Sequence, residues 1–167
     1  MVPLVTALAL SVSNPGPAWA GEPDYNAPWR QGRSRLGLGG GLIGLSGSDD
    51  FYFGLSYGYF IVDNLELGVD TLLTFGSQPF TARVGPSLLY VIPVEAQVQP
   101  YVGGFYRHWF ISDDALADLD SLGWRAGLVL RTGGTFLQLG IVMESVLDCE
   151  GDDCTSFYPE LALSLSL

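Results

Sequence analysis

From residue 34 onward, apolar residues alternate with polar or small ones at a period of two. That is the signature of strands, whose successive side chains point to opposite sides. In NLELGVDTLLTF (64–75), Leu65, Leu67, Val69, Thr71, Leu73 and Phe75 share one face, and Glu66, Gly68, Asp70, Leu72 and Thr74 share the other. Seven further stretches have strand character: 34–46, 51–61, 80–92, 98–110, 122–131, 135–147 and 157–167. The first is Gly-rich and its sequence does not set its phase; the inward face of 98–110 is equally ambiguous. Pro86 removes a ladder donor from 80–92 and predicts a bulge or local irregularity there. No helical period occurs in the body of the chain.

Eight strands of roughly ten residues match the length that crosses a bilayer at a tilt, and the count is even. The alternation leaves two architectures open. In a soluble barrel the apolar face meets a core, whereas in a membrane barrel it meets lipid and Glu66 and Asp70 point into the lumen. Composition bears on the choice. The chain has 167 residues, 48% hydrophobic and 15% charged, against a usual charged share of roughly 25%. Its mean hydropathy is +0.29, yet no apolar run approaches the roughly 18 residues of a membrane helix. LLYVIPV (88–94) is far too short and contains Pro93.

The start of the chain favours export. MVPLVTALALSVSNPGPAWA has an apolar segment, a helix-breaking Asn-Pro-Gly-Pro and a terminal Ala18-Trp19-Ala20, which predicts a signal peptide over 1–20 with cleavage after Ala20. The segment lacks Lys or Arg at its start, which leaves the start codon open. Residues 21–33, Pro-rich, polar and aperiodic, read as a periplasmic linker, and 34–167 as the barrel. In an exported chain, Cys149 and Cys154 in DCEGDDC predict a disulfide, because two thiols without a nearby His are a poor metal-ligand set. No metal or cofactor is expected.

With a periplasmic N-terminus, the outer connections are SGSDD, GSQP, ISDDALADLDS and DCEGDDCTS, and the inner ones are VDN, IPVEAQVQ and RTGG. The two longest acidic connections then fall outside, the asymmetry of outer-membrane barrels. They carry Asp113, Asp114, Asp118, Asp120, Asp148, Glu150, Asp152 and Asp153. Phe51, Phe53, Phe75, Phe80, Trp124 and Phe157 would form an outer aromatic belt, and Tyr59 and Tyr90 an inner edge. A net charge of −11, with all seven basic residues Arg, excludes a nucleic-acid footprint.

YGYFIVDNLELGVD, VGPSLLY, QPYVGGFY and LGWRAGLVL, in strand order, resemble the outer-membrane β-barrel family of Gram-negative bacteria that includes the OmpA and OmpX barrels. The resemblance covers about residues 34–167 and implies an all-β, eight-stranded antiparallel up-and-down transmembrane barrel in the cell outer membrane. It also implies insertion by the outer-membrane assembly machinery. Members commonly end in an aromatic residue, whereas this chain ends in Leu167. The peptidoglycan-binding domain of the full OmpA architecture is not part of it.

With the apolar face on lipid, the lumen receives Glu66, Asp70, Arg83, Arg125, Arg131, Glu144 and Glu160 as a charge network. Arg83, Arg125, Glu144 and Glu160 are expected as an upper cluster, with Asp70 near mid-depth. An eight-stranded lumen is just wide enough for side chains to fill it, so the expected role is structural or surface-interacting. The alternative is a narrow ion or small-solute channel, and a third reading is a soluble exported barrel for an apolar ligand. His108, the only histidine, invites comparison with lipid A deacylases, but His108-Trp109-Phe110 has no Ser at the His-x-Ser spacing. No enzymatic role is expected, and His108 reads as part of the polar-aromatic rim. Expected partners are outer-membrane lipids, with divalent cations possible at the acidic outer loops.

Overall fold

The computed structural model describes residues 26–45, 48–75, 80–112, 117–132, 134–147, 149 and 154–167, with backbone only over 41–50. Eight strands form one closed antiparallel barrel in sequence order: β1 (Ser34–Leu45), β2 (Ser48–Val62), β3 (Leu65–Phe75), β4 (Thr81–Val91), β5 (Val98–Ile111), β6 (Leu119–Thr132), β7 (Thr135–Val146) and β8 (Thr155–Ser166). Each pairs with its chain neighbour, and β1 pairs with β8. The inner end is taken as the one bearing residue 26 and Leu167.

The barrel is inverted relative to a soluble one. Along β3, Glu66, Gly68, Asp70 and Leu72 are buried, while Leu67, Val69 and Phe75 are exposed. The same holds around the wall: Leu55, Leu88, Leu128, Leu139, Ile141, Leu161 and Leu163 all face outward. The expected belt residues Phe51, Phe53, Phe75, Phe80, Trp124 and Phe157, with Tyr59 and Tyr90, are likewise exposed. An apolar exterior of this extent calls for an apolar solvent.

Structure resolves the two open phases. In β1, Arg35 and Gly37 turn inward and Leu36 and Leu38 outward; in β5, Gln99, Tyr101, Phe105 and Arg107 turn inward. The inward glycines make room for large neighbours. A Cβ at Gly123 would lie 2.3 Å from the Phe105 ring, its register partner across the β5–β6 ladder.

Several boundaries differ from the sequence reading. At Pro86 the expected irregularity takes the form of a lapse rather than a bulge: β4 keeps its register on both sides, and its pairing with β5 is lost at Gly85 and Pro86. The bulge lies instead in β2, between Phe60 and Val62, next to the turn where Asn64 adopts φ 67°. Asp49 and Asp50, read as an outer connection, belong to β2, and Asp120 belongs to β6. Residues 26–33, expected as part of a linker, close the inner mouth. Ala27–Trp29 form a short 3-10 turn, and the backbone is tied in by Asn64 N to Trp29 O at 2.6 Å, Gly32 N to Phe60 O at 2.9 Å and Phe60 N to Arg33 O at 2.9 Å. The signal-peptide region lies outside the described residues.

Candidate functional site

The lumen is built in layers. At the inner mouth, Trp29 is 1% exposed and packs in one apolar cluster with Phe60, Leu89, Val91, Tyr101, Val129 and Phe136. Its ring lies 4.6 Å from Phe136 and 5.7 Å from Phe60. The indole N–H donates to Gln99 Oε1, and Gln99 Nε2 donates to Asn26 Oδ1 at 2.8 Å and Val94 O at 2.9 Å. A buried Trp needs such a partner for its N–H.

Next comes a forked pair. Arg35 donates through Nε to Glu66 Oε2 at 2.6 Å and through Nη2 to Glu66 Oε1 at 2.8 Å, while Nη1 reaches Gln138 and Ser164. Arg suits this site because its planar fork matches both carboxylate oxygens. At mid-depth, Arg125 donates to Asp70 Oδ2 and, at 3.1 Å, to Glu160 Oε1. Ser87 also bonds Asp70, at 3.2 Å, and Tyr101 bonds Glu160, at 2.8 Å.

The outer layer centres on Glu144, 1% exposed. Its Oε2 accepts from Tyr158 Oη at 2.7 Å, Arg107 Nη1 at 3.2 Å and Arg83 Nη1 at 3.3 Å; its Oε1 accepts from Ser121 at 2.6 Å. Arg83 stacks on Trp109, 3.4 Å from the ring centre, and Arg107 on Phe105, at 3.9 Å. Arg107 links this layer to the one below through Asp70 Oδ2 at 3.7 Å. Burying charge is tolerable only when each ion is paired and hydrogen-bonded. Here Arg35, Arg83, Arg107 and Arg125 balance Glu66, Asp70, Glu144 and Glu160.

The predicted residues are distributed differently from the single upper cluster that was expected. Arg83 and Glu144 meet each other, whereas Arg125 meets Asp70 and Glu160, and Glu66 takes a separate partner, Arg35. Arg131 is not brought into these charged layers. It lies at the inner mouth, in register with Phe136, bordering a cavity with Ala27, Pro28 and Arg33. Sequence reasoning missed Arg35 and Arg107, which sat in the two strands of unset phase. The signal was present: Arg107 shares parity with Gln99 against Val98 and Val102, and Arg35 shares parity with Gly37 against Leu36 and Leu38.

Outside, a second polar group stands at the outer end of β5 and β6. The side chains of His108, Asp118 and Asp120 are partly exposed on the barrel's exterior beside the third outer connection. Charged groups are costly within the apolar band of that face, so they are placed beyond the span. His108 Nδ1 is 2.8 Å from Asp120 Oδ1, and Nε2 is 3.6 Å from Asp118 Oδ2; Tyr106 Oη donates to Asp120 at 2.6 Å. The Asp120 hydrogen bond raises His108 above the ordinary imidazole range, and the bonds from Tyr106 and His108 hold Asp120 below the usual carboxylate range. The hydroxyl in this cluster bonds the carboxylate rather than the imidazole, so it supplies no nucleophile–base contact of the kind acyl transfer needs. Of the acidic outer loops, Asp113, Asp114, Asp148, Glu150, Asp152 and Asp153 lie outside the described residues. Cys149 and Cys154 are joined by a disulfide, with Cα atoms 5.7 Å apart.

Comparison with solved structures follows this geometry. The N-terminal β-barrel domain of Pseudomonas aeruginosa OprF aligns with a TM-score of 0.62 at 16% identity, over 82% of this chain and 98% of that one. The fold is that of eight-stranded outer-membrane barrels. Neisserial surface protein A aligns with a TM-score of 0.57 at 16% identity, over 81% of this chain and 94% of that one. The Yersinia pestis outer membrane protein Ail aligns with 0.54 at 13% identity, over 82% and 100%. No protein-family model and no curated protein sequence matches the chain.

Proposed function

We propose that this chain is a closed outer-membrane β-barrel of a Gram-negative cell, with a structural or surface-interaction role and no axial conduction. The observation that carries this reading is the filling of the lumen from both ends. The Glu144 hub, with Arg83, Arg107, Ser121 and Tyr158, occupies the outer half, and the Trp29 cluster occupies the inner mouth. The apolar exterior and the fold shared with outer-membrane barrels support the location. Lipids would solvate the outward strips of β1 to β8, and the assembly machinery would insert them. Divalent cations bridging the acidic outer connections to lipid phosphates fit the acid-rich composition of that side.

Two measurements test the reading together. In detergent the purified protein should show heat-modifiable gel migration, and in planar bilayers it should give no unitary current steps. Steps from the unmodified protein would replace this reading with the narrow-channel one. Full solubility without detergent would remove both.

A further inference from the structure

A barrel closes when its first and last strands pair along their length. Seven of the eight neighbouring strand pairs in this wall have nine to twelve residue pairs. The β1–β8 pair has five, from Arg35↔Ser166 to Gly39↔Ala162. Toward the outside, β1 continues on β2 and β8 continues on β7, but among the described residues they no longer pair with each other. The sequence supplies a reason. Pro159 stands in this part of β8 and has no N–H to give, and its carbonyl accepts from the Tyr52 hydroxyl at 3.0 Å. Proline belongs at a sheet edge, and here it makes a local edge inside a closed barrel.

A cavity of about 50 Å³ meets the wall at the point where pairing stops. Gly39, Leu161 and Ala162 border it at the seam, and Asp70, Arg107 and Arg125 border it inside. The Glu144 layer lies on its outer side and the Arg35–Glu66 pair on its inner side, so the open direction is sideways. Arg107 and Arg125 are 4% and 6% exposed, and among the described residues the Nε of each has no hydrogen-bond partner. A buried donor without an acceptor is costly. The charges around the cavity already balance, two guanidiniums against Asp70 and Glu160, so a guest beside them would be uncharged. Gly39 borders the cavity on the β1 side without a side chain.

We propose that the outer half of the β1–β8 seam is a side portal, and that the pocket behind it takes a small uncharged hydrogen-bond acceptor of amide or hydroxyl type from the membrane side. The proposal rests on the closed-lumen reading above. The test uses Ser56, which also borders the pocket. In Ser56→Cys, with the Cys149–Cys154 bridge intact, alkylation of the folded protein by neutral iodoacetamide and by anionic iodoacetate is measured, each normalised to the denatured chain. Iodoacetamide should react roughly tenfold faster than iodoacetate, since a charge is excluded from an apolar passage. Cross-linking the seam through Gly40→Cys and Leu161→Cys should slow iodoacetamide by a similar factor. If that cross-link abolishes heat-modifiable migration, Ala162→Leu, which fills the pocket at the seam, should give the same slowing in its place. A folded protein inert to both reagents overturns the portal and leaves the closed lumen standing, whereas equal, appreciable rates for the two overturn the portal and the closed lumen together. Reaction unaffected by a folded seam block overturns both, because entry would then be along the axis.

Discussion

The inner mouth and the outer half of the lumen are filled by opposite chemistry. Around Trp29, apolar rings pack with one buried amide, and loss of a group leaves a gap whose cost scales with the atoms removed. Around Glu144, two arginines, a serine and a tyrosine converge on one carboxylate, and loss of that carboxylate strands its partners. The first region should therefore respond to substitution by degrees, and the second by collapse of a whole layer.

Glu144→Ala gives the largest effect, destabilising the barrel by about 3–5 kcal/mol because Arg83 and Arg107 become uncompensated buried charges. Denaturant unfolding in detergent measures it; a loss below about 1 kcal/mol would show that solvent reaches this layer. Trp29→Ala should cost about 3 kcal/mol, the low end for a large buried ring because the mouth can relax around the gap. Its effect should be confined to the inner mouth, with faster amide exchange at Asn64 and Gly32 and unchanged exchange in the outer half of β6. Spread of the protection loss to Ser121 would erase the distinction between the two regions. Replacing both partners of the inner pair, Arg35→Met with Glu66→Leu, should change stability by only about 1 kcal/mol, whereas Glu66→Leu alone should cost about 3–5 kcal/mol.

The smallest effect lies outside the span, at His108. Its protonated form is favoured by Asp120, so its contribution is complete below the ordinary imidazole pKa and is lost as pH rises through the raised value. Asp120 contributes above the ordinary carboxylate pKa and loses that contribution as pH falls through its lowered value. Between those limits the His108 contact holds Asp118 and Asp120 at the base of the third outer connection. Imidazole titration by NMR should show Asp120→Asn returning His108 toward about 6.5. An unchanged midpoint would remove the contact as its cause.

Much of this was legible in the chain. The alternation in β3 places Glu66 and Asp70 on one face whatever lies on the other, Arg125 and Glu144 follow from strands of equally clear phase, and Arg83 follows because the register of β4 runs through Pro86 unshifted. β5 resisted because aromatics occupy both of its faces, Tyr101 and Phe105 inside, Tyr106 and Phe110 outside. Period alone then sets no direction. The partners of each acid were beyond sequence reach for a different reason. Depth along the axis depends on the register of all eight strands, and the pairing of Glu144 with Arg83 and Arg107 crosses the lumen rather than one ladder. The packed segment at 26–33 has neither period, since beyond two local turn bonds its backbone is held by residues of β2 and of the β2–β3 turn.

That segment also carries a record of assembly. Trp29 touches Phe60 from β2, Gln99 from β5 and Phe136 from β7, and its carbonyl holds the β2–β3 turn at Asn64. These surfaces share one binding place only after β1 has met β8, so the indole has nowhere to seat on a partly built wall. Burial of Trp29 should thus follow closure of the wall, and protection of the Asn64 amide that its carbonyl holds should appear no earlier than the pairing of the last strand with the first.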